Sequence, residues 1–175
     1  MDTLPDFLAP GLRLISVGLN PSLPSVRDGY YFSGRTNRFW PVLNASSLLS
    51  APIEPSPRAM QHLLEVERIG FTDSVKRPTA GAGDLRAADF RRDVPGLLEK
   101  LQAASPGLVW FHGKVAFRNV LRYGSGQVPD TLPWGLQSDQ LCGLRVVVTP
   151  NPSAANAVYS RAALTNWFNR VAELI

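Results

Sequence analysis

The chain has 175 residues, 45% of them hydrophobic and 18% charged, enough apolar side chain for one compact core and too much for wholesale disorder. A single cysteine, Cys142, and two histidines, His62 and His112, exclude a disulfide framework, a four-cysteine zinc site and an iron–sulfur cluster held by this chain's cysteines alone. The net charge of +4 rests on 15 Arg and three Lys, which fits an anionic partner without demanding one; the planar guanidinium fork suits phosphate.

No stretch reaches the ~18 apolar residues of a membrane helix, and the opening Met1–Asp6 lacks the basic and apolar regions of a signal peptide. A soluble cytoplasmic protein is expected, monomeric, folded as one domain over residues 1–175 and without a membrane partner.

In chain order, Leu12–Gly18 (LRLISVG) is an unbroken apolar run that reads as a buried strand. Asn37-Arg38-Phe39-Trp40 opens a helix. After a loop at Ala51–Pro57, Ser56 and Pro57 supply an N-cap and a first-turn proline for a helix with Met60, Leu63, Leu64 and Ile69 on one face. Phe71–Val75 is a weaker strand, followed by a loop at Thr79–Asp84. Asp93 opens the next helix, with Val94, Leu97, Leu98 and Leu101 at helical spacing. Leu108–His112 (LVWFH) is a strand, Val115–Arg122 a helix and Tyr123–Gly135 a loop. Cys142 reads as a small buried hydrophobe before the last strand, Leu144–Thr149 (LRVVVT). The terminal helix carries Leu164, Trp167, Phe168, Val171 and Leu174. Strands alternating with helices predict an α/β fold, a three-layer αβα sandwich around a short, mostly parallel four-stranded sheet.

In such a sheet, ligands bind beyond the carboxyl ends of the strands. Two strands end in the same tripeptide, Asn20-Pro21-Ser22 and Asn151-Pro152-Ser153. Proline cannot continue the ladder, so each strand stops sharply and holds its Asn at the lip of the sheet. Ordinary Asn-Pro turns would give either motif alone; two at one edge point to a site.

Leu8–Arg13, Gly18-Leu19-Asn20-Pro21, Gly29-Tyr30-Tyr31-Phe32, Asn37-Arg38-Phe39-Trp40, Lys76-Arg77-Pro78-Thr79, Gly113-Lys114 and Pro150-Asn151-Pro152-Ser153 occur in one order. Over nearly its whole length the chain resembles the mismatch-specific uracil-DNA glycosylases, the bacterial relatives of thymine-DNA glycosylase in the uracil-DNA glycosylase superfamily. The resemblance implies a monofunctional enzyme without metal or organic cofactor. Its partner is double-stranded DNA containing uracil or mismatches. Such enzymes flip uracil out of a G·U pair and hydrolyse its N-glycosidic bond, leaving an abasic site.

By the same resemblance, Asn20 holds the attacking water. Its carbonyl can accept from water while its NH₂ donates elsewhere, but it is no real base, which predicts a slow enzyme. Phe32 is the aromatic floor for the flipped base, a contact worth ~1–3 kcal/mol, with Leu19, Tyr30 and Asn151 completing the base-binding set. Phe39 and Trp40 position the pocket by packing. Faster uracil-DNA glycosylases carry His where this chain has Asn151, so that charge is missing here. The loop Ser153-Ala154-Ala155-Asn156-Ala157 would enter the duplex. Where the bacterial pattern has a bulky wedge and an Arg, Ala155 and Ala157 are small, which predicts weaker mismatch specificity.

Asp93, placed at the start of a crossover helix and so at the same sheet edge, is a second catalytic candidate that could assist Asn20, although an N-cap role gives the same pattern. Asp28 is another such carboxylate, and His112 a candidate general acid. For the DNA backbone, Ser22, Ser25, Arg35, Lys76, Arg77, Lys114, Ser153 and Arg161 fall in or near the expected edge loops. A protein that flips and binds damaged bases without cutting them would keep Asn20 and Phe32 as well. A phosphate-ester hydrolase is disfavoured, since neither G-x-G-x-x-G nor a P-loop occurs.

Overall fold

A computed structural model describes residues 3–138 and 140–175. Five strands, β1 (Leu14–Gly18), β2 (Ile69–Asp73), β3 (Val109–His112), β4 (Gly135–Leu136) and β5 (Val146–Thr149), form one sheet in the order β2-β1-β3-β5-β4. β2, β1, β3 and β5 run parallel and are the four strands expected from sequence. Every residue in them is buried, which is why none shows an alternating pattern. The fifth, β4, is an antiparallel two-residue edge strand that starts at the last residue of the segment reading as loop. Two residues carry no detectable period.

Among the described residues six α-helices cover the sheet: α1 (Leu23–Asp28), α2 (Phe39–Ala45), α3 (Pro57–Glu65), α4 (Ala87–Ala104), α5 (Lys114–Gly124) and α6 (Arg161–Ala172). One face of the sheet presents Leu14, Phe71, Trp110 and Val147 to residues of α2, α3 and α6. The other presents Ile15, Val17, Phe111, Val146 and Val148 to α4 and α5. Layers of helix, sheet and helix result, as expected. No helix among the described residues is long and apolar enough to cross a membrane.

Local chemistry sets the boundaries. The Ser56 hydroxyl accepts from Ala59 N–H at 3.0 Å and starts α3, and Ser22 does the same for α1 through Ser25 N–H at 3.2 Å. Ile69 does not continue α3. The chain reverses through Arg68 at φ +56°, and Ile69 opens β2. The helix containing Asp93 starts six residues earlier than its sequence pattern suggests: α4 begins at Ala87, where the Asp89 carboxylate accepts from Arg86 N–H at 2.9 Å. Asp93 with Pro95 has the composition of a helix start, but both lie inside α4. Cys142 is exposed, not buried. It and Gly143 take φ +52° and +80° between paired Leu141 and Leu144, so the demands of a two-residue hairpin turn override a small apolar side chain.

Candidate active site

The strand register assembles the site. Asp73 pairs with Gly18, Phe111 with Val17, and His112 with Thr149. Asp73, Gly18, His112 and Thr149 therefore form the last row across the carboxyl edge and share one face of the sheet. Above this row lies a cavity of about 310 Å³ whose lining includes Leu19, Asn20, Phe32, Asp73, His112 and Asn151, at the small end of the ~300–1,000 Å³ typical of ligand pockets.

Both Asn-Pro-Ser motifs reach this cavity. The Asn20 Nδ2 donates to the Thr79 hydroxyl at 2.8 Å, the Arg77 carbonyl at 3.0 Å and the Pro21 carbonyl at 3.3 Å. Three acceptors around one nitrogen fix the amide's orientation, and its Oδ1 accepts from no described residue. The loop that supplies those acceptors is itself anchored. The Arg77 guanidinium grips Asp89 at 2.9 and 2.8 Å. Arg77 in turn holds the Asp89 carboxyl at about 2, with the Arg86 N–H adding to it.

Asn151 is held at the opposite end. Its Oδ1 accepts from Ser153 N–H at 2.8 Å, while its Nδ2 makes one long contact, 3.4 Å to the His112 carbonyl. The loop beyond it is gripped by Arg38, whose guanidinium donates to the carbonyls of Pro152, Ser153, Asn156 and Tyr159. Its acceptors lie at least 114 residues away, so the local sequence marks Arg38 only as part of a helix start.

Phe32 has φ +59°, a conformation that costs a non-glycine residue ~1–3 kcal/mol and persists only where its surroundings impose it. Its ring stacks on Phe39 with centroids 4.1 Å apart and meets the His112 ring edge-on at 5.3 Å. The Trp40 indole N–H donates to the Tyr31 carbonyl at 2.9 Å and fastens the turn. Phe39 and Trp40 are buried packing residues, as expected. Tyr30 is a correction: its ring packs against Trp40 and does not line the cavity, whereas Tyr31 does. The left-handed turn at Phe32 sends neighbouring rings to different surroundings, which a run of three aromatics does not disclose.

Asp93 does not reach the cavity. Sitting within α4, it accepts from Lys76 N–H at 2.8 Å and pairs with Arg92 at 2.7 and 2.9 Å. Burial raises its carboxyl pKa, but Arg92 and the Lys76 N–H outweigh that and leave it below the ordinary value. Its work is to anchor the loop from β2 to Thr79. Asp28 pairs with Arg27 at 2.6 Å and also lies outside the lining.

The carboxylate that does line the cavity is Asp73, which the sequence reading did not single out. It is 4% exposed, and Oδ2 has no hydrogen-bond partner. A Cβ on Gly18 would come within 2.4 Å of its Oδ1, so only glycine at position 18 leaves room for this side chain. Burial raises the Asp73 pKa to about 7, against the pull of Lys76. His112 is 1% exposed, with Nε2 2.8 Å from the Ser16 hydroxyl and Nδ1 unpartnered. Burial pushes its pKa down to about 3, so it is neutral at pH 7 and cannot serve as an imidazolium acid.

Among the residues expected at the DNA backbone, Ser22, Ser25, Ser153 and Ala155 line the cavity. Ala154 is exposed beside them, and the Asn156 Nδ2 donates to the Asn151 carbonyl at 3.0 Å. Arg35 and Arg161 are exposed. Lys76 is instead committed to Asp6 at 2.8 Å, and the Lys114 ammonium sits 4.4 Å above the Trp134 ring. With Arg77 bound to Asp89, internal partners thus occupy three cations that, as bare sequence, look free. A larger groove of about 650 Å³ lies by α5 and the 124–142 segment, but no charged side chain is among the described residues lining it.

A family model for the uracil DNA glycosylase superfamily matches residues 5–173. The chain belongs to the uracil DNA glycosylase superfamily. The fold agrees: the solution NMR structure of a proposed uracil DNA glycosylase from Methanosarcina acetivorans matches with TM-score 0.61 at 22% identity, over 98% of this chain and 96% of that one. Superfamily members are DNA glycosylases, which hydrolyse N-glycosyl bonds, and this chain is one of them.

Proposed function

We propose that this glycosylase extrudes uracil from duplex DNA into the 310 Å³ cavity and hydrolyses its N-glycosidic bond with a water held by Asn20. The observation that carries the reading is the Asn20 amide, whose nitrogen is pinned by three acceptors and whose carbonyl is left free. Water donates one hydrogen to that carbonyl, and its oxygen attacks C1′ of the deoxyribose. The bond from C1′ to the base nitrogen breaks, and its electron pair leaves with the uracil. The attacking water's second proton is released to solvent, since an amide cannot take it. The water is positioned and not deprotonated, so the nucleophilic step is slow.

Phe32 offers its ring face to the extruded base, and the lightly engaged Asn151 Nδ2 and the Leu19 backbone N–H donate to its edge. The rim supports binding to the mismatch-specific branch's substrates with relaxed discrimination. Ala154, Ala155 and Ala157 are too short to fill a vacated base position, and the large apolar side chain nearby is Val158, 86% exposed. G·U pairs are cut, and so are A·U pairs and single-stranded uracil. Arg35 and the hydroxyls of Ser22 and Ser153 contact phosphates, whereas the buried Ser25 hydroxyl accepts from Ser22 Oγ and Ser33 N–H and braces the loop; the protein works as a monomer.

Incubation of the protein with G·U, A·U and single-stranded uracil oligonucleotides, followed by alkali, tests this reading. Scission at uracil in all three supports it. Strict G·U cleavage would contradict the relaxed specificity, and binding without scission would make the protein a damage sensor.

A further inference from the structure

Departure of uracil leaves negative charge spread over the base and its carbonyl oxygens, and a glycosylase gains most from donors aimed at those atoms. This chain has no cation at the place expected to supply one: Asn151 is neutral, and buried His112 is uncharged at pH 7. Among the described residues, one buried side-chain oxygen on the cavity floor remains without a partner, the Asp73 Oδ2. Its row on the sheet, and the absence of a side chain at Gly18, hold the carboxyl there.

We propose that Asp73 is a substrate-contacting residue of this site, whose protonated carboxyl donates a hydrogen bond from Oδ2 to a carbonyl oxygen of the extruded base. The inference rests on the glycosylase reading of the cavity. An ionised carboxylate in the same place would repel the leaving base, so only the neutral acid helps. The surroundings favour that form. β1 faces Asp73 with Gly18 and Ser16, neither charged, and β3 faces it with neutral His112. From the segment before β1 comes Asp6, which raises its pKa; from the following loop comes Lys76, which lowers it, as does the Tyr31 hydroxyl. Lys76 and Asp6 are paired with each other at 2.8 Å, so their opposed effects largely offset and desolvation decides. The water-holding Asn20 stands half-exposed at the lip, which separates the nucleophile's place from the acid's.

The role gives a pH signature that a merely structural carboxylate lacks. Single-turnover excision of uracil by the wild-type protein should fall about tenfold or more between pH 6 and pH 9. Asp73→Asn keeps a neutral donor, though a weaker one: it should be a few-fold slower at pH 6, flat across the range, and faster than wild type at pH 9. Asp73→Leu, with no donor, should be slow throughout. A wild-type rate independent of pH, or one that falls equally in Asp73→Asn, would overturn the proposal. A rate that rises through pH 7 in wild type alone would also overturn it, by making Asp73 a base. Equilibrium binding of free uracil at pH 6 and pH 8 separates this inference from the glycosylase reading and needs no variant. Tighter binding at pH 6 supports the donor even if no strand is cut, and equal binding at both pH values contradicts it even if strands are cut.

Discussion

Asn20-Pro21-Ser22 and Asn151-Pro152-Ser153 are the same tripeptide at the ends of two parallel strands, and both reach one cavity, yet the fold uses them in opposite ways. At Asn20 the loop from Arg77 to Thr79 saturates the amide nitrogen and leaves the carbonyl free to accept. At Asn151 the turn to Ser153 takes the carbonyl and leaves the nitrogen with only a 3.4 Å contact. One amide can hold a water and the other can donate to a base. Local sequence sets where each side chain stands; a distant loop decides which of its ends is available.

That asymmetry can be broken or sharpened by substitution. Asn20→Ala should lower single-turnover excision by about 10²–10³-fold, the scale of losing one preorganised polar group at a reacting centre. Comparable losses at the two asparagines would erase the distinction.

The floor beneath both motifs gives the next effect, on stability. The Asp73 pKa in the folded chain, about 7, lies above the 3.8 of an unfolded chain. Between those values the folded state holds the extra proton, so this group's contribution to stability is complete below pH 3.8 and is lost as pH rises through 7. Asp73→Asn should therefore unfold at higher urea than wild type at pH 8, by on the order of 4 kcal/mol, with little difference at pH 4. His112 acts in the opposite sense. Its depressed pKa means that stability falls as pH drops below 6.5 towards 3.

Smaller effects follow at the amides' supports. Asn151→Ala should cost about tenfold in excision, the loss of one neutral donor. Thr79→Val removes the shortest of the three acceptors on Asn20 and should slow excision by roughly three- to fivefold. Asp93→Asn should change the rate less than about twofold, because an amide oxygen still accepts from Lys76 N–H. A hundredfold loss at Asp93 would return it to the chemistry.

Much of this was legible in the sequence. Buried parallel strands announce themselves as apolar runs, and proline after Asn ends each of two at the same lip; Leu19, Asn20, Phe32, Asn151 and Ser153 all line the cavity. What failed was whatever depends on partners far along the chain. Asp73 stands at the end of a strand with nothing local to mark it, and its place over Gly18 exists only once β1 and β2 pair. Asp93 resembled a helix start because the true start, built on Asp89, lacks a side-chain N-cap. Lys76 looked free because its partner Asp6 lies 70 residues away. Cys142 is exposed because turn geometry, not hydrophobicity, sets its place.

A crystal structure with duplex DNA carrying an uncleavable 2′-fluorinated deoxyuridine tests the central claim most directly. The account predicts the uracil ring flat against Phe32 and a water within about 3.2 Å of the Asn20 Oδ1, on the side of the sugar away from the base. A uridine still stacked in the helix, or a base seated with Asn20 bound to it in place of water, would contradict it.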